Sequence, residues 1–192
     1  MRLQNRDIEI INFINEHKGV TVEQAARLYF GGSKSLAYRR LRLLKEAKQL
    51  KAEYNPFVCC LVYYVKKMPS LHALMLTAFY VVHHKNITNF KREAQIGNQI
   101  VDGLVKFNDG TMAAIEAVVN NPLSVAKAEA IKGYFNAIYN NSIDIIAITL
   151  CRQYDREKYT HIQLSDLRGG AGNKVVDYER VGAGEIGNFG TS

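Results

Sequence analysis

Residues 21–47 read TVEQAARLYFGGSKSLAYRRLRLLKEA, and this stretch decides how the first third of the chain folds. Thr21 offers a capping oxygen to the start of a helix, and Gln24 follows three residues later, as a capping box requires. Two glycines then end that helix, because glycine readily takes the left-handed conformation of a helix terminus. Ser33 is placed to cap the next helix. The stretch therefore predicts two helices joined by a glycine-bearing turn.

The second of these helices is amphipathic and has a basic outer face. Ala37, Leu41 and Leu44 share its inner side. The capping position, the outer side and its margins carry hydroxyl and basic groups, namely Ser33, Lys34, Ser35, Tyr38, Arg39, Arg42 and Lys45. Guanidinium groups on such a face can reach guanine edges or phosphates. Behind another short capped helix, this pattern predicts the DNA-contacting helix of a helix-turn-helix, whereas an isolated helix of this kind would favour an ordinary solvated surface.

The flanking segments extend the motif in both directions. Residues 6–17 place apolar side chains at helical spacing and stop at a Lys-Gly pair. After the basic helix, residues 50–54 and 57–65 are predicted to be two strands around an Asn-Pro turn. A hairpin in this position is a wing, with Lys48 and Lys51 as its candidate contacts to the DNA backbone.

The charge distribution points to the same partner. Residues 1–70 hold 13 Lys and Arg against 6 Asp and Glu, whereas residues 71–192 hold 12 against 12. The net charge of +7 therefore lies wholly on the first third of the chain. Nucleic acid is the usual partner of such a patch, and a solvated basic surface is the alternative. We expect residues 1–68 to be a winged helix-turn-helix that binds double-stranded DNA.

The rest of the chain mixes strands and helices. An apolar helix is predicted over residues 71–84, after a break at Met68-Pro69-Ser70. The elements expected next are strands at 89–96, 99–107 and 111–119, a helix at 123–139, a strand at 143–151 and an edge strand at 160–164. This order predicts an α+β chain with a small α/β domain over 71–168. Residues 169–192 are expected to be a glycine-rich tail.

Two carboxylates in this second domain suggest a metal site. A three-residue loop at Asn108-Asp109-Gly110 would place Asp102 opposite Glu116, about 5 Å apart at Cβ and on one face. Two carboxylates so placed could hold Mg²⁺. A two-residue loop would place them on opposite faces instead.

The stretches IVDGLVKF and AAIEAVVNN resemble the restriction-endonuclease-like (PD-(D/E)XK) fold, in which an aspartate on one strand precedes Glu-x-Lys on the next. Asp102 and Glu116 match the two acids, and Glu93 matches an acid that often lies upstream. Val118 stands at the position of the lysine, so no cation remains there to orient water, unless Lys106 or Lys127 replaces it. The resemblance therefore implies a degenerate site, and we expect no catalytic residue, no metal, no cofactor and no enzyme activity.

The whole chain resembles the replication-relaxation family of plasmids and conjugative elements. The matching pieces lie between Arg6 and Leu150 and are RDIEIINFI, VTVEQAARLYF, YRRLRLLKEAKQL, VYYV, LHALMLTAFYVV and the Asp102–Glu116 pair. This resemblance implies a sequence-specific DNA-binding accessory protein in replication, relaxosome assembly or transfer, with a relaxase or replication protein as partner. A homodimer would suit a repeated DNA site. A metal-dependent nuclease using Asp102 and Glu116 and a transcriptional repressor are the alternatives.

The remaining composition narrows the setting. No apolar run approaches the roughly 18 residues needed to cross a bilayer, and the first residues have no signal-peptide pattern, so we expect a cytoplasmic protein without membrane contact. Cys59, Cys60 and Cys151 have no CxxC spacing, which disfavours a structural zinc site. We expect these thiols to be reduced and buried.

Overall fold

The computed structural model describes residues 2–119, 123–140, 142–149 and 160–163 of the chain. Its first part contains three helices and three short strands. In chain order these elements are α1 (Asn5–His17), β1 (Val20–Thr21), α2 (Val22–Tyr29), α3 (Lys34–Glu46), β2 (Lys51–Asn55) and β3 (Cys60–Tyr64). The three strands form an antiparallel sheet in the order β1-β3-β2. The helices and the hairpin predicted from the sequence are thus confirmed as elements.

The second part is a mixed sheet with helices on its two faces. Its elements are α4 (Leu71–His83), a 3₁₀ turn (His84–Asn86), β4 (Ile87–Ile96), β5 (Gln99–Phe107), β6 (Met112–Val118), α5 (Val125–Tyr139), β7 (Asp144–Thr149) and β8 (Thr160–Gln163). The sheet order is β4-β5-β6-β7-β8. Pairing is antiparallel from β4 to β6 and parallel from β6 to β8. The protein is therefore a mixed α+β structure, and the edge strand expected near residue 160 is present.

The start of α2 has the predicted capping box. The Gln24 amide donates to Thr21 Oγ1 at 3.2 Å, and the Thr21 amide donates to Gln24 Oε1 at 2.9 Å. At the other end the Gly32 amide donates to Ala26 O at 2.8 Å, with Gly32 at a φ of +86° that a side chain would strain. These local bonds fix the turn between α2 and α3.

Helix α4 joins the two parts of the molecule. Val81 packs into the core made by α1, α2, α3 and β3, whereas Met75 and Phe79 pack against the sheet. A third cluster lies on the opposite face of the sheet and is built around Ile131 and Phe135 of α5. Burial of each large apolar side chain contributes about 1.5–3 kcal/mol. Helix α4, which follows the predicted boundary at residues 68–70, therefore packs against the N-terminal part as well as against the sheet.

Inside the first part, an ion pair ties α1 to α3. The carboxylate of Asp7 is fully buried and accepts both a bond from Arg40 Nε at 2.6 Å and a second Arg40 contact through Nη2. This bidentate contact holds the pKa of Asp7 below its usual range, against the opposing effect of burial. Arg40 stands between two arginines expected to contact DNA, yet its side chain is turned inward.

The cysteines are less buried than the sequence predicts. Cys59 is exposed, lies in the turn before β3 at a φ of +51°, and donates its thiol to Pro56 O at 3.1 Å. Cys60 is half-buried. The expectation of buried thiols is wrong for Cys59, because this residue belongs to a turn and not to a strand. Cys151 and the glycine-rich tail lie outside the described residues. Among the described helices, none has the length and apolar content needed to cross a membrane.

Candidate functional site

The outer face of α3 presents most of the predicted DNA-contacting side chains to solvent. Tyr38 is 47% exposed, and the other exposed members are Lys34, Ser35, Arg39, Arg42 and Lys45. Ser33 is half-buried at the N-cap, and its Oγ lies 3.3 Å from Ser35 Oγ. The inner side buries Ala37, Leu41 and Leu44 completely, as the helical periodicity predicts.

Two of the exposed cations on α3 already have carboxylate neighbours. Lys34 Nζ lies 3.1 Å from Glu23 Oε1, and Arg42 Nε lies 3.3 Å from Glu46 Oε1. Exposed pairs of this kind contribute about 0–1 kcal/mol, so a phosphate can replace either carboxylate at little cost. Arg39 has no ion pair among the described residues. The face is therefore free to accept an anionic partner.

The β2–β3 hairpin places its cations at its base and apolar side chains at its tip. Lys51 is exposed and donates to Lys66 O at 3.4 Å, and Lys48 is exposed just before β2 at a φ of +59°. Tyr54, Phe57 and Leu61 are 62%, 54% and 39% exposed towards the tip. The sequence analysis missed this apolar tip, because exposed and buried aromatic residues look alike in a strand pattern.

The hairpin between β5 and β6 has the predicted three-residue loop. The Phe107 amide donates to Thr111 O at 2.9 Å, and Gly110 takes a φ of +86°. The paired residues run from Lys106 opposite Met112 to Gly103 opposite Ile115. Continued by one residue, this register places Asp102 opposite Glu116, as expected for the three-residue loop.

The backbone pairing of β5 with β6 ends just before these two acids. There the carboxylate of Asp102 takes the place of a backbone acceptor, since its Oδ2 accepts a bond from the Ala117 amide at 2.8 Å. The bond leaves the second oxygen of Asp102 available to another ligand. His72, in the first turn of α4, places its Nδ1 4.0 Å from the same Oδ2. No sequence pattern pointed to His72, because it is distant in the chain from Asp102.

Strands β4 and β5 both change the face of the sheet that their side chains occupy, close to Asp102. Val105 packs on the α4 side of the sheet and Val101 on the α5 side, although residues four apart in a strand normally share a face. Phe90 and Ala94 of β4 differ in the same way. Between the latter two lies Glu93, exposed and at a φ of +50°. The ladder therefore changes face where Glu93 and Asp102 lie opposite each other, a break that simple alternation cannot predict.

Glu116 is buried and contacts a lysine from the following helix. Its residue is 8% exposed, and Lys127 Nζ of α5 lies 2.7 Å from its Oε1. Burial raises the pKa of Glu116, Lys127 opposes this rise, and Asp102 adds to it. Lys106, the other replacement considered from the sequence, is exposed on β5. Of the two lysines considered from the sequence, Lys127 is therefore the one that contacts Glu116.

The donor set at this position fits a hard divalent cation. The Glu116 carboxylate lies beside the Lys127 ammonium group, and the negative charge of Asp102 acts on it. Mg²⁺ is commonly held by one or two carboxylates, with water and substrate phosphate as the other ligands. Within the described ranges no three His, Cys, Asp or Glu residues cluster to form a complete metal cage. The site therefore suits Mg²⁺ and lacks the ligand set of a structural zinc site.

No protein-family model matches the chain, and no curated protein matches it. Similar solved structures include a repair endonuclease from Pyrococcus abyssi, with 12% identity, a TM-score of 0.38, and coverage of 54% of this chain and 51% of that chain. They also include the EndoMS-dsDNA2 complex, with 14% identity, a TM-score of 0.36, and coverage of 55% and 51%. The chain thus spans about half the length of the structures that it matches. The resemblance to the replication-relaxation family gains no support here.

The expectation that the protein is not an enzyme is wrong. It is contradicted by the match to a repair endonuclease. The expectation depended on the absence of a cation at Val118. That physical reason no longer holds, because Lys127 contacts Glu116 from another element. Sequence spacing between β5 and β6 could not reveal a group contributed by α5.

Proposed function

We propose that the protein is a metal-dependent nuclease that acts on double-stranded DNA held by its N-terminal part. The observation that carries the proposal is the contact of 2.7 Å between Lys127 and the buried Glu116, which the continued β5–β6 register places opposite Asp102. Two acids and a cation at the split end of a hairpin match the donor types used in phosphodiester hydrolysis. On this proposal the sheet is a restriction-endonuclease-like unit, and residues 1–68 are a winged helix-turn-helix.

Each residue of the site has a separate role in this proposal. Asp102 and Glu116 would hold Mg²⁺, which would supply positive charge beside the phosphate and lower the pKa of a water. Lys127 opposes the rise that burial causes in the pKa of Glu116, because an adjacent cation favours the charged form of a carboxyl group. Its ammonium group also offers donors that can orient a water or a phosphate oxygen. In this proposal Lys127 acts in place of the lysine that is missing at position 118, where the chain has Val118.

The outer face of α3 delivers the DNA to this site. Its exposed guanidinium groups, Arg39 and Arg42, can reach base edges, while the flanking lysines neutralise phosphates. The excess of 13 basic over 6 acidic residues in the first 70 positions supports the same role. Binding by this face is therefore expected to weaken as the salt concentration rises.

Cleavage of supercoiled plasmid in Mg²⁺ or Mn²⁺ tests the proposal. The wild-type chain should nick or linearise the plasmid, and Asp102→Asn and Glu116→Gln should not. Glu129→Gln is the matched control, since Glu129 is an exposed acid on α5. Absence of metal-dependent cutting by the wild type, or equal cutting by Glu116→Gln and Glu129→Gln, would contradict the nuclease proposal.

We propose a mobile genetic element as the biological setting, on the order of the sequence motifs between Arg6 and Leu150. In this setting the protein acts in the cytoplasm as a homodimer during replication, relaxosome assembly or transfer, beside a relaxase or replication protein. Sedimentation with and without a duplex carrying a repeated site tests the dimer. A single protomer on the repeated site would contradict it.

A further inference from the structure

A buried polar cluster connects the N-terminal part to the sheet. The carbonyl of His17, at the end of α1, accepts a bond from Thr77 Oγ1 of α4 at 2.7 Å and from Arg92 Nη1 of β4 at 3.2 Å. Arg92 Nη2 donates to Ala73 O of α4 at 3.1 Å. Arg92 Nη1 also lies 3.4 Å from Thr77 Oγ1. One guanidinium group therefore joins α1, α4 and β4.

The environment of Arg92 is unusual for a cation. Burial lowers its pKa, opposed by the charges of Glu93, Asp102 and Glu16. Its side chain has no carboxylate within ion-pair distance among the described residues. A buried charge that is held mainly by carbonyl oxygens carries a desolvation cost. That cost is offset in part by the helix dipole, because the end of α1 is a favourable place for a cation.

Aromatic rings enclose the same junction. The His17 ring centroid lies 4.3 Å from that of Phe13 and 4.2 Å from that of Tyr80, with Phe90 at 5.9 Å. Burial, followed by the nearby charges of Arg92 and Lys18, lowers the pKa of His17 to about 4, so the ring is neutral at physiological pH. Rings from α1, α4 and β4 thus pack on one side of the polar cluster. The junction combines directional bonds with close packing, which restricts movement between the two parts.

The junction is continuous with the strand bend beside the acidic site. Glu93 directly follows Arg92 and takes a φ of +50°. In the β4–β5 register, Arg92 pairs with Gly103 and Ala94 pairs with Val101, so Glu93 lies opposite Asp102. The residue that anchors α1 therefore stands one position from the bend at which Asp102 leaves the ladder.

We infer that Arg92 is a positioning residue that fixes the DNA-binding part relative to the acidic site, so that cleavage falls at a fixed distance from the bound sequence. This inference rests on the proposed function. It makes the substrate class a duplex with a recognised sequence and a separate cut position. A purely stabilising role for Arg92 would leave the cut position unchanged in any variant that still folds.

A tethered cleavage reagent tests the inference independently of the protein's own activity. Iron-EDTA is attached at Glu129→Cys on α5, in a chain in which all three native cysteines are replaced by serine. The duplex carries a sequence selected for tight binding by the full chain. With Arg92 intact, hydroxyl radicals should cut within one narrow cluster of positions at a fixed distance from that sequence. With Arg92→Gln the cluster should be lost and cuts should spread over many positions, while affinity for the duplex is unchanged.

The matched control is Lys91→Gln, which removes the same charge from the exposed neighbouring position of β4 and should keep the narrow cluster. Thr77→Val, which removes the hydroxyl from the cluster at similar volume, should broaden the pattern and serves if Arg92→Gln does not fold. An equally narrow cluster in the Arg92→Gln or Thr77→Val protein would overturn the inference. Failure of the unlabelled wild type to cut in Mg²⁺ would contradict the nuclease proposal alone, because the tethered reagent reports geometry in either case.

Discussion

The outer face of α3 and the acidic site of the sheet are built in opposite ways. The α3 face is a set of exposed side chains from one helix, and the ion pair between Arg42 and Glu46 lies within that helix. The acidic site takes Asp102 from β5, Glu116 from β6 and Lys127 from α5, and its central carboxylate is buried. A surface made by one helix can be predicted from the local periodicity of the sequence. A site made by three elements becomes visible only in the tertiary structure.

The contrast is sharpest within α3 itself, where Arg40 faces inward between outward arginines. Replacement of Arg40 by Leu leaves the buried carboxylate of Asp7 without its cation, so the free energy of unfolding should fall by about 3–5 kcal/mol. Chemical denaturation measures this change, with Arg39→Leu as the exposed control. Equal losses in the two variants would remove the distinction between inward and outward arginines.

His17 lies at the junction between the N-terminal part and the sheet, and its protonation should make stability depend on pH. The pKa of His17 is lowered to about 4, whereas a histidine in the unfolded chain titrates near 6.5. Between these values the unfolded state binds a proton that the folded state does not, so stability is lost as the pH falls. The loss from His17 should total about 3 kcal/mol at 1.36 kcal/mol per pH unit.

Unfolding free energies measured from pH 7.5 to pH 4 provide the check. His17→Phe keeps the ring packing and should flatten the profile, leaving the contribution of His83, whose pKa is also lowered to about 4 by burial and next by Arg27. A His17→Phe profile that parallels the wild type would show that His17 does not titrate as a buried group.

The exposed arginines should affect DNA binding and leave stability unchanged. Arg39→Ala and Arg42→Ala should each lower affinity for the selected duplex by about 1–3 kcal/mol if the side chain contacts a base edge. A binding titration against cognate and scrambled duplexes separates base contacts from phosphate contacts, since only the former relax specificity. Wild-type affinity in both folded variants would remove α3 from the DNA interface.

The sequence allowed prediction of those features that depend on neighbours in the chain. The capping box of Thr21 and Gln24 and the three-residue loop before Thr111 both formed as expected. The contacts of Arg40 and His72 were not predicted, because they depend on distant partners, and for the same reason the sequence could not choose between Lys106 and Lys127. Periodicity gives the side of a helix on which a residue lies, but it does not give the residue that packs there. The expectation of an inactive protein failed for this reason.

On the proposed function, Glu116 and Lys127 act as one unit in a catalytic site. A double-mutant cycle on the rate of Mg²⁺-dependent DNA cleavage tests it, with Glu116→Gln, Lys127→Met and the double variant, and with Lys132→Met as the control on α5. Each single change should abolish most of the activity, and the double change should be no worse than either one, because the effects of groups that act as a unit are not additive. Additive losses, or full activity in Lys127→Met, would contradict it.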